Sequence, residues 1–246
     1  MATTIAVSGK GGSGKTTLAA MMIRALMEQA SKGILAVDAD PNSCLGITMG
    51  VEPAGTVAEL REGARQKRPE SGGMDRVRTF EYGLQQALTE AKGFDLLTMG
   101  RPEGPDCYCA VNNLLRKFMD KLNDSYSFVV IDNEAGMEHL SRRTTNNVDV
   151  LCIAAECSPI GEVTAKRIFE LAGELPIDVK RIGVIWNRAE EGKELDGVEV
   201  FGCVPYDQRV FEASMRGGSI FEIENESAAF SAVQRILEKL NIAGAK

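Results

Sequence analysis

Nine residues near the start of the chain, Gly9-Lys10-Gly11-Gly12-Ser13-Gly14-Lys15-Thr16-Thr17, combine glycines, two lysines and two threonine hydroxyls in a spacing that satisfies G-x-x-x-x-G-K-[ST]. The chemistry of such a stretch is anion capture. A backbone wrapped around a polyphosphate must turn several N–H groups inward, and Cβ atoms obstruct that approach, so glycine recurs. A helix beginning near Gly14 would aim its unpaired N–H groups at the same anion. Lys15 is placed to reach the β- and γ-phosphates and the Thr16 hydroxyl to ligate Mg²⁺, so residues Gly11, Gly12, Ser13, Gly14, Lys15, Thr16 and Thr17 are expected to bind the polyphosphate. Lys10 lies at the start of the loop, where it either crosses to another subunit's phosphates or stays in solvent.

Carboxylates form the second set of reactive groups. Asp38 and Asp40 follow the apolar run Ile34-Leu35-Ala36-Val37, and Asp132 follows Phe128-Val129-Val130-Ile131. Ligands of open parallel sheets gather beyond the carboxyl ends of the strands, which puts all three acids on the edge that carries the phosphate loop. A hydrophobic strand ending in Asp places a carboxylate on a Mg²⁺-bound water, and Gly136 nearby permits a backbone switch. Two thiols one residue apart, Cys107 and Cys109, make a third set; such a pair chelates a soft metal or serves as a redox or buried pair.

Behind these residues stand the elements that must hold them. Thr3–Ser8, Ile34–Asp38, Phe94–Gly100, Phe128–Asp132, Asp149–Ala154, Arg181–Trp186 and Val200–Val204 read as strands. Leu18, Met21, Met22, Ala25 and Leu26 recur at helical spacing within 17–30, as do Leu114, Leu115, Phe118 and Leu122 within 111–122, and Phe230, Val233, Ile236, Leu237 and Leu240 within 226–240. Strands alternating with helices predict an α/β, doubly wound, mostly parallel sheet, in one domain spanning 1–246. The charged stretch from about 50 to 73, part of an excursion reaching to about 90, reads as mostly exposed and partly helical. The strand ending at Trp186 delivers Asn187, whose amide offers both a donor and an acceptor for a purine edge, together with Arg188. The segment from Gly202 through Pro205 to Asp207 reads as the loop that packs the base.

The loop Lys10-Gly11-Gly12-Ser13-Gly14-Lys15-Thr16-Thr17 resembles the deviant phosphate loop of the MinD, ParA, nitrogenase iron protein and arsenite-pump ATPases. Three further segments are similar to CooC-type ATPases: Gly100-Arg101-Pro102-Glu103-Gly104 through Cys109, Val111 to Arg116, and Asp132-Asn133-Glu134-Ala135-Gly136 through His139 to Thr144. CooC-type ATPases are nickel maturation factors for carbon monoxide dehydrogenase, with relatives serving acetyl-CoA synthase. Ser13 stands where the superfamily commonly has Val, and Asp106 where Gly is expected.

The resemblance implies a P-loop ATPase that uses ATP and Mg²⁺ and works as a nucleotide-sandwich homodimer. It implies that Lys10 acts across the dimer, that Asp40 orients or deprotonates the attacking water, with Asp38 as a network or Mg²⁺-water ligand, and that Asn187 reads adenine. Cys107 and Cys109 of two subunits would then supply four sulfurs to one Ni²⁺ or Zn²⁺ at the dimer interface. The expected client is carbon monoxide dehydrogenase or, alternatively, acetyl-CoA synthase. An iron-protein-like electron donor, a partition ATPase and a non-catalytic metal carrier are the other classes such a chain could join.

Composition narrows that list. A net charge of −7 argues against a nucleic-acid backbone as principal partner. No apolar run of membrane-spanning length is present, and the chain is expected to be cytoplasmic with no membrane partner. Six cysteines in such a compartment predict no disulfide framework, and Cys152 and Cys203 sit in apolar strand runs as small hydrophobes. The single histidine, His139, cannot build a histidine metal cluster.

Overall fold

The computed structural model describes residues 2–66, 73–101, 115, 117–119, 122, 124–134, 147–174 and 177–242. Their strands are β1 (Thr3–Gly9), β2 (Ile34–Ala39), β3 (Thr89–Ala91), β4 (Phe94–Thr98), β5 (Phe128–Asn133), β6 (Asn147–Glu156), β7 (Asp178–Asn187) and β8 (Glu199–Val204). They form one eight-stranded sheet in the order β3-β4-β2-β5-β1-β6-β7-β8. Every pairing is parallel except β3 with β4. The α/β, mostly parallel architecture expected from the sequence is the one observed. Strands β2 and β5 are buried along their whole length, as the continuous apolar runs of a sheet covered on both faces require.

Helices α1 (Lys15–Met27), α2 (Leu45–Met49), α6 (Gln208–Met215) and α7 (Ala228–Lys239) cover one face. Leu18, Met22 and Leu26 of α1 pack there with Phe230, Val233 and Leu237 of α7. Arg24 ties these helices to the preceding turn: it lies over the Phe230 ring, 4.2 Å from its centroid, and donates to the Ile220 carbonyl at 2.7 Å. Helices α3 (Val57–Gln66), α4 (Gly73–Ala87) and α5 (Pro159–Glu174) cover the opposite face, where Val57, Phe80, Leu84 and Ile168 pack with Leu115 and Phe118.

Two features go beyond the sequence reading. Within the stretch from about 50 to 73, read as mostly exposed and partly helical, α3 buries Val57 fully and leaves Arg61 at 6 % exposure, and α4 beyond it buries Leu84 in the second core layer. The antiparallel strand β3, three residues long, was not expected at all; it closes the edge beside β4. The C-x-C pair Cys107 and Cys109, Asp106, Gly136 and His139 lie outside the described residues.

Candidate functional site

Register places the acids. Asp38 of β2 pairs with Asp132 of β5 on one side and with Thr98 of β4 on the other, and Asp132 pairs in turn with Val7 of β1. Parallel partners in register point to the same face, so Thr98, Asp38 and Asp132 line one row at the carboxyl edge, two residues short of the point where the phosphate loop leaves β1. The central position of β1 between β5 and β6 sets that loop at the middle of the edge.

The loop itself is shaped by close approach. A Cβ at Gly9 would lie 2.3 Å from the Ala154 carbonyl of β6. Gly14 has φ 88° and ψ 22°, the left-handed conformation that turns the chain into α1. That helix starts with no capping side chain and no acidic residue in its first turn. Its orphan N–H groups and positive end are therefore left for an anion.

Asp132 is fully buried, and neither of its carboxylate oxygens completes a hydrogen bond of normal geometry. Burial pushes its pKa up to about 7; the Thr16 side chain and the Lys15 ammonium oppose that rise, while Asp38 and Asp40 add to it. Lys15 is itself buried. A carboxylate with two unpartnered oxygens beside a lysine and a hydroxyl is a poor structural choice and a good receptor for a cation. Mg²⁺ fits this donor set, which is hard oxygen chemistry from Asp132 and Thr16.

Asp38 has a different employment. Its Oδ2 accepts the Leu45 N–H at 2.8 Å and its Oδ1 the Asp40 N–H at 3.3 Å, so it pins the loop after β2 to the start of α2. Burial raises its pKa to about 6 against the pull of those backbone donors. Asp40 is half-buried; its Oδ1 closes a turn by accepting the Asn42 N–H at 2.9 Å and the Asn42 side-chain amide at 2.8 Å. Its Oδ2 has no hydrogen bond among the described residues. Cys44, exposed at the same loop, has its thiol pKa raised by partial burial and by Asp38, Asp40 and Asp132.

Across the loop lies a cavity of about 90 Å³ lined by Gly14, Thr17, Asn187, Arg188, Pro205 and Phe211, among others. The structure thus brings Asn187, Arg188 and Pro205 together as expected. Asn187, though, spends one amide hydrogen on the Ser13 carbonyl at 2.7 Å. Arg188 has φ 57° and reaches the Glu156 carboxylate at 3.5 Å. Tyr206, within the loop expected to pack the base, and Phe211, which was not anticipated, stand at this cavity about half exposed with ring centroids 6.2 Å apart. Lys10 is exposed, pairs with no acid among the described residues, and lines a second cleft of about 80 Å³ with Glu156, Ser158 and Thr164.

Sequence reasoning also missed Thr98, Ser8 and Asn133. All three are buried with unpartnered polar atoms at the same edge. For Thr98 the signal was available: it is the polar terminus of an otherwise apolar strand, in line with Asp38.

Residues 4–220 match the family described as CbiA, the CobQ/CobB/MinD/ParA nucleotide binding domain. The chain belongs to this family. Among relatives of the CobQ/CobB/MinD/ParA family, an uncharacterised ATP-binding protein of Methanocaldococcus jannaschii is 43 % identical over 96 % of this chain and 97 % of its own length. The carbon monoxide dehydrogenase accessory protein CooC of Rhodospirillum rubrum is 30 % identical, covering 89 % of each chain. Among solved structures, MinD of Aquifex aeolicus superposes with a TM-score of 0.70 at 19 % identity over 100 % of this chain and 99 % of that one. MinD of Pyrococcus horikoshii, complexed with Mg-ADP, gives 0.66 at 19 % over 98 % and 96 %. At that identity the superpositions speak for the fold. Family membership makes this a nucleotide-binding protein of the P-loop class. No helix among the described residues is long and apolar enough to cross a membrane.

Proposed function

We propose that this protein is an ATP-hydrolysing homodimer that inserts nickel into carbon monoxide dehydrogenase, using the nucleotide as the switch for metal handling. One observation supports the hydrolytic part above all: Asp132, buried with both oxygens unpartnered, beside Lys15 and Thr16 at the uncapped start of α1. The nickel part is supported by the similarity to CooC along most of both chains and by Cys107 and Cys109, which two subunits would contribute as four sulfurs to one Ni²⁺ or Zn²⁺.

In this mechanism the N–H groups of Gly11 to Thr17 and the Lys15 ammonium hold the β- and γ-phosphates. Thr16 and Asp132 would hold Mg²⁺, directly or through water, and the ion when bound offsets the charge of the phosphate oxygens. The Asp40 Oδ2 holds the attacking water, whose oxygen bonds to the γ-phosphorus while the bond to the bridging oxygen of ADP breaks. The water's proton passes by way of Asp40 to the phosphate released. Lys10, exposed and without an acidic partner among the described residues, reaches the phosphates of the second subunit. ATP closes the dimer, and hydrolysis relaxes it. Such coupling requires that nickel or the client bind the two nucleotide states with different affinity.

The experiment is Ni²⁺ binding to metal-free protein, alone and with ADP or non-hydrolysable ATP, with particle mass recorded alongside and a Cys107→Ala, Cys109→Ala double variant as control. About one metal per dimer, shifted by nucleotide and lost in the double variant, is expected. Binding that survives removal of both thiols sinks the shared site. Activation assays with carbon monoxide dehydrogenase and with acetyl-CoA synthase separate the two clients. A second reading has one observation in its favour: the chain is 31 % identical, over 71 % of its length and 66 % of the relative's, to the maintenance of carboxysome distribution protein A of Synechococcus elongatus. An ATPase of the distribution type would bind DNA when loaded with ATP, and the net charge of −7 weighs against that.

A further inference from the structure

The amide of Asn187, at the end of β7, donates to the Ser13 carbonyl at 2.7 Å in a buried setting, bridging 174 residues of sequence. The contact has little slack. A Cβ at Gly14 would lie 2.3 Å from the same amide nitrogen, so the loop passes directly against it. The Ser13 N–H is meanwhile engaged in the loop's own turn, donating to the Lys10 carbonyl at 3.1 Å. Ser13 is thus held from both sides, by the turn through its N–H and by Asn187 through its carbonyl.

That restraint has a directional effect. In a trans peptide the C=O and the following N–H point in opposite directions, so anchoring the Ser13 carbonyl on Asn187 turns the Gly14 N–H away from β7. The Gly14 N–H leads the run of free donors at the start of α1, where no side chain caps the helix. Asn187 also lines the cavity beside Gly14 and Thr17. One side chain therefore touches both the loop and the space next to it.

We propose that Asn187 is a positioning residue of the phosphate loop, setting the direction of the Gly14 N–H through the Ser13 carbonyl and so coupling the side cavity to the phosphate cradle. This rests on the nucleotide reading and deepens it. An asparagine that only reads a base would matter to ATP alone. An asparagine that sets the loop matters to any polyphosphate, including one with no base.

The test uses Asn187→Ala and Asn187→Leu, the second similar in size but without a donor or a charge. Two readouts are compared with the parent: amide hydrogen exchange over residues 9–17 in ligand-free protein, and affinity for ATP and for inorganic tripolyphosphate, both with Mg²⁺. Faster exchange at 12–17 in both variants, with tripolyphosphate weakened about tenfold by loss of one buried hydrogen bond, is expected. Parent-like loop exchange in both variants overturns the proposal, as does unchanged tripolyphosphate affinity alongside weakened ATP. A parent protein that binds neither ATP nor tripolyphosphate would instead remove the nucleotide reading, whereas the exchange result would still judge the Asn187 tie by itself.

Discussion

The Asp38 carboxylate accepts the backbone N–H of Leu45 at 2.8 Å and so binds the end of β2 to the first residue of α2. Asp38→Ala would leave that N–H and the Asp40 N–H without their acceptor in a buried place. A loss of about 1–3 kcal/mol in urea unfolding is expected. A cost near zero would mean that the loop finds other partners.

Asp38 also gives the protein a pH signature. Burial raises its pKa to about 6 and that of Asp132 to about 7, whereas both titrate near 4 once unfolded. From about pH 4 to pH 7 the native state holds protons that the unfolded chain has released, so stability is greatest at the acid end and falls as pH rises. Asp38→Asn should flatten this slope. Urea midpoints of metal-free, nucleotide-free protein at pH 5, 6, 7 and 8 check it, and parallel profiles for parent and variant would contradict it.

Asp132→Asn should separate stability from activity. Removing a buried charge whose burial outweighs the help of Thr16 and Lys15 is expected to raise the pH 8 stability of the empty protein by about 1–3 kcal/mol. ATP turnover should fall about a hundredfold or more, because the cation loses its carboxylate. Calorimetry of empty protein and phosphate release at saturating ATP measure the two effects. A variant both less stable and fully active would refute the assignment.

Gly14→Ala combines a left-handed backbone with a Cβ that would meet the Asn187 amide at 2.3 Å. A stability cost of about 1–2 kcal/mol is expected, with nucleotide affinity reduced out of proportion to it. Equilibrium dialysis against ATP on folded variant provides the comparison.

Lys10→Ala changes an exposed side chain with no ion pair among the described residues, so the monomer's stability should stay within about 0.5 kcal/mol of the parent. The expected loss is in ATP-dependent dimer mass and turnover. If both match the parent, Lys10 has no role across the dimer.

The loop from Gly9 to Thr17 and the strands behind it were legible because glycine spacing and uninterrupted apolar runs are local properties of the chain. Helix α3 shows its inward side at Val57 and Arg61, four residues apart, and a buried arginine is not what composition alone would place there. Strand β3 has only three residues and takes its identity from the pairing with β4. The Asn187 contact with Ser13 spans most of the sequence, so no local pattern could reveal it, although the amide was rightly singled out as a polar group at a strand end.

Strand β1 pairs with β5 and β6 and with no other strand. Its hydrogen-bonding partners are therefore not made until Phe128 and beyond have left the ribosome, a wait on the order of ten seconds at ordinary rates of synthesis. Through that interval the glycine-rich loop hangs from an unpaired apolar strand, and the newborn chain cannot grip a nucleotide. The segment of the site made first must wait for β5 and β6, which makes ATP binding a report that the centre of the sheet has formed.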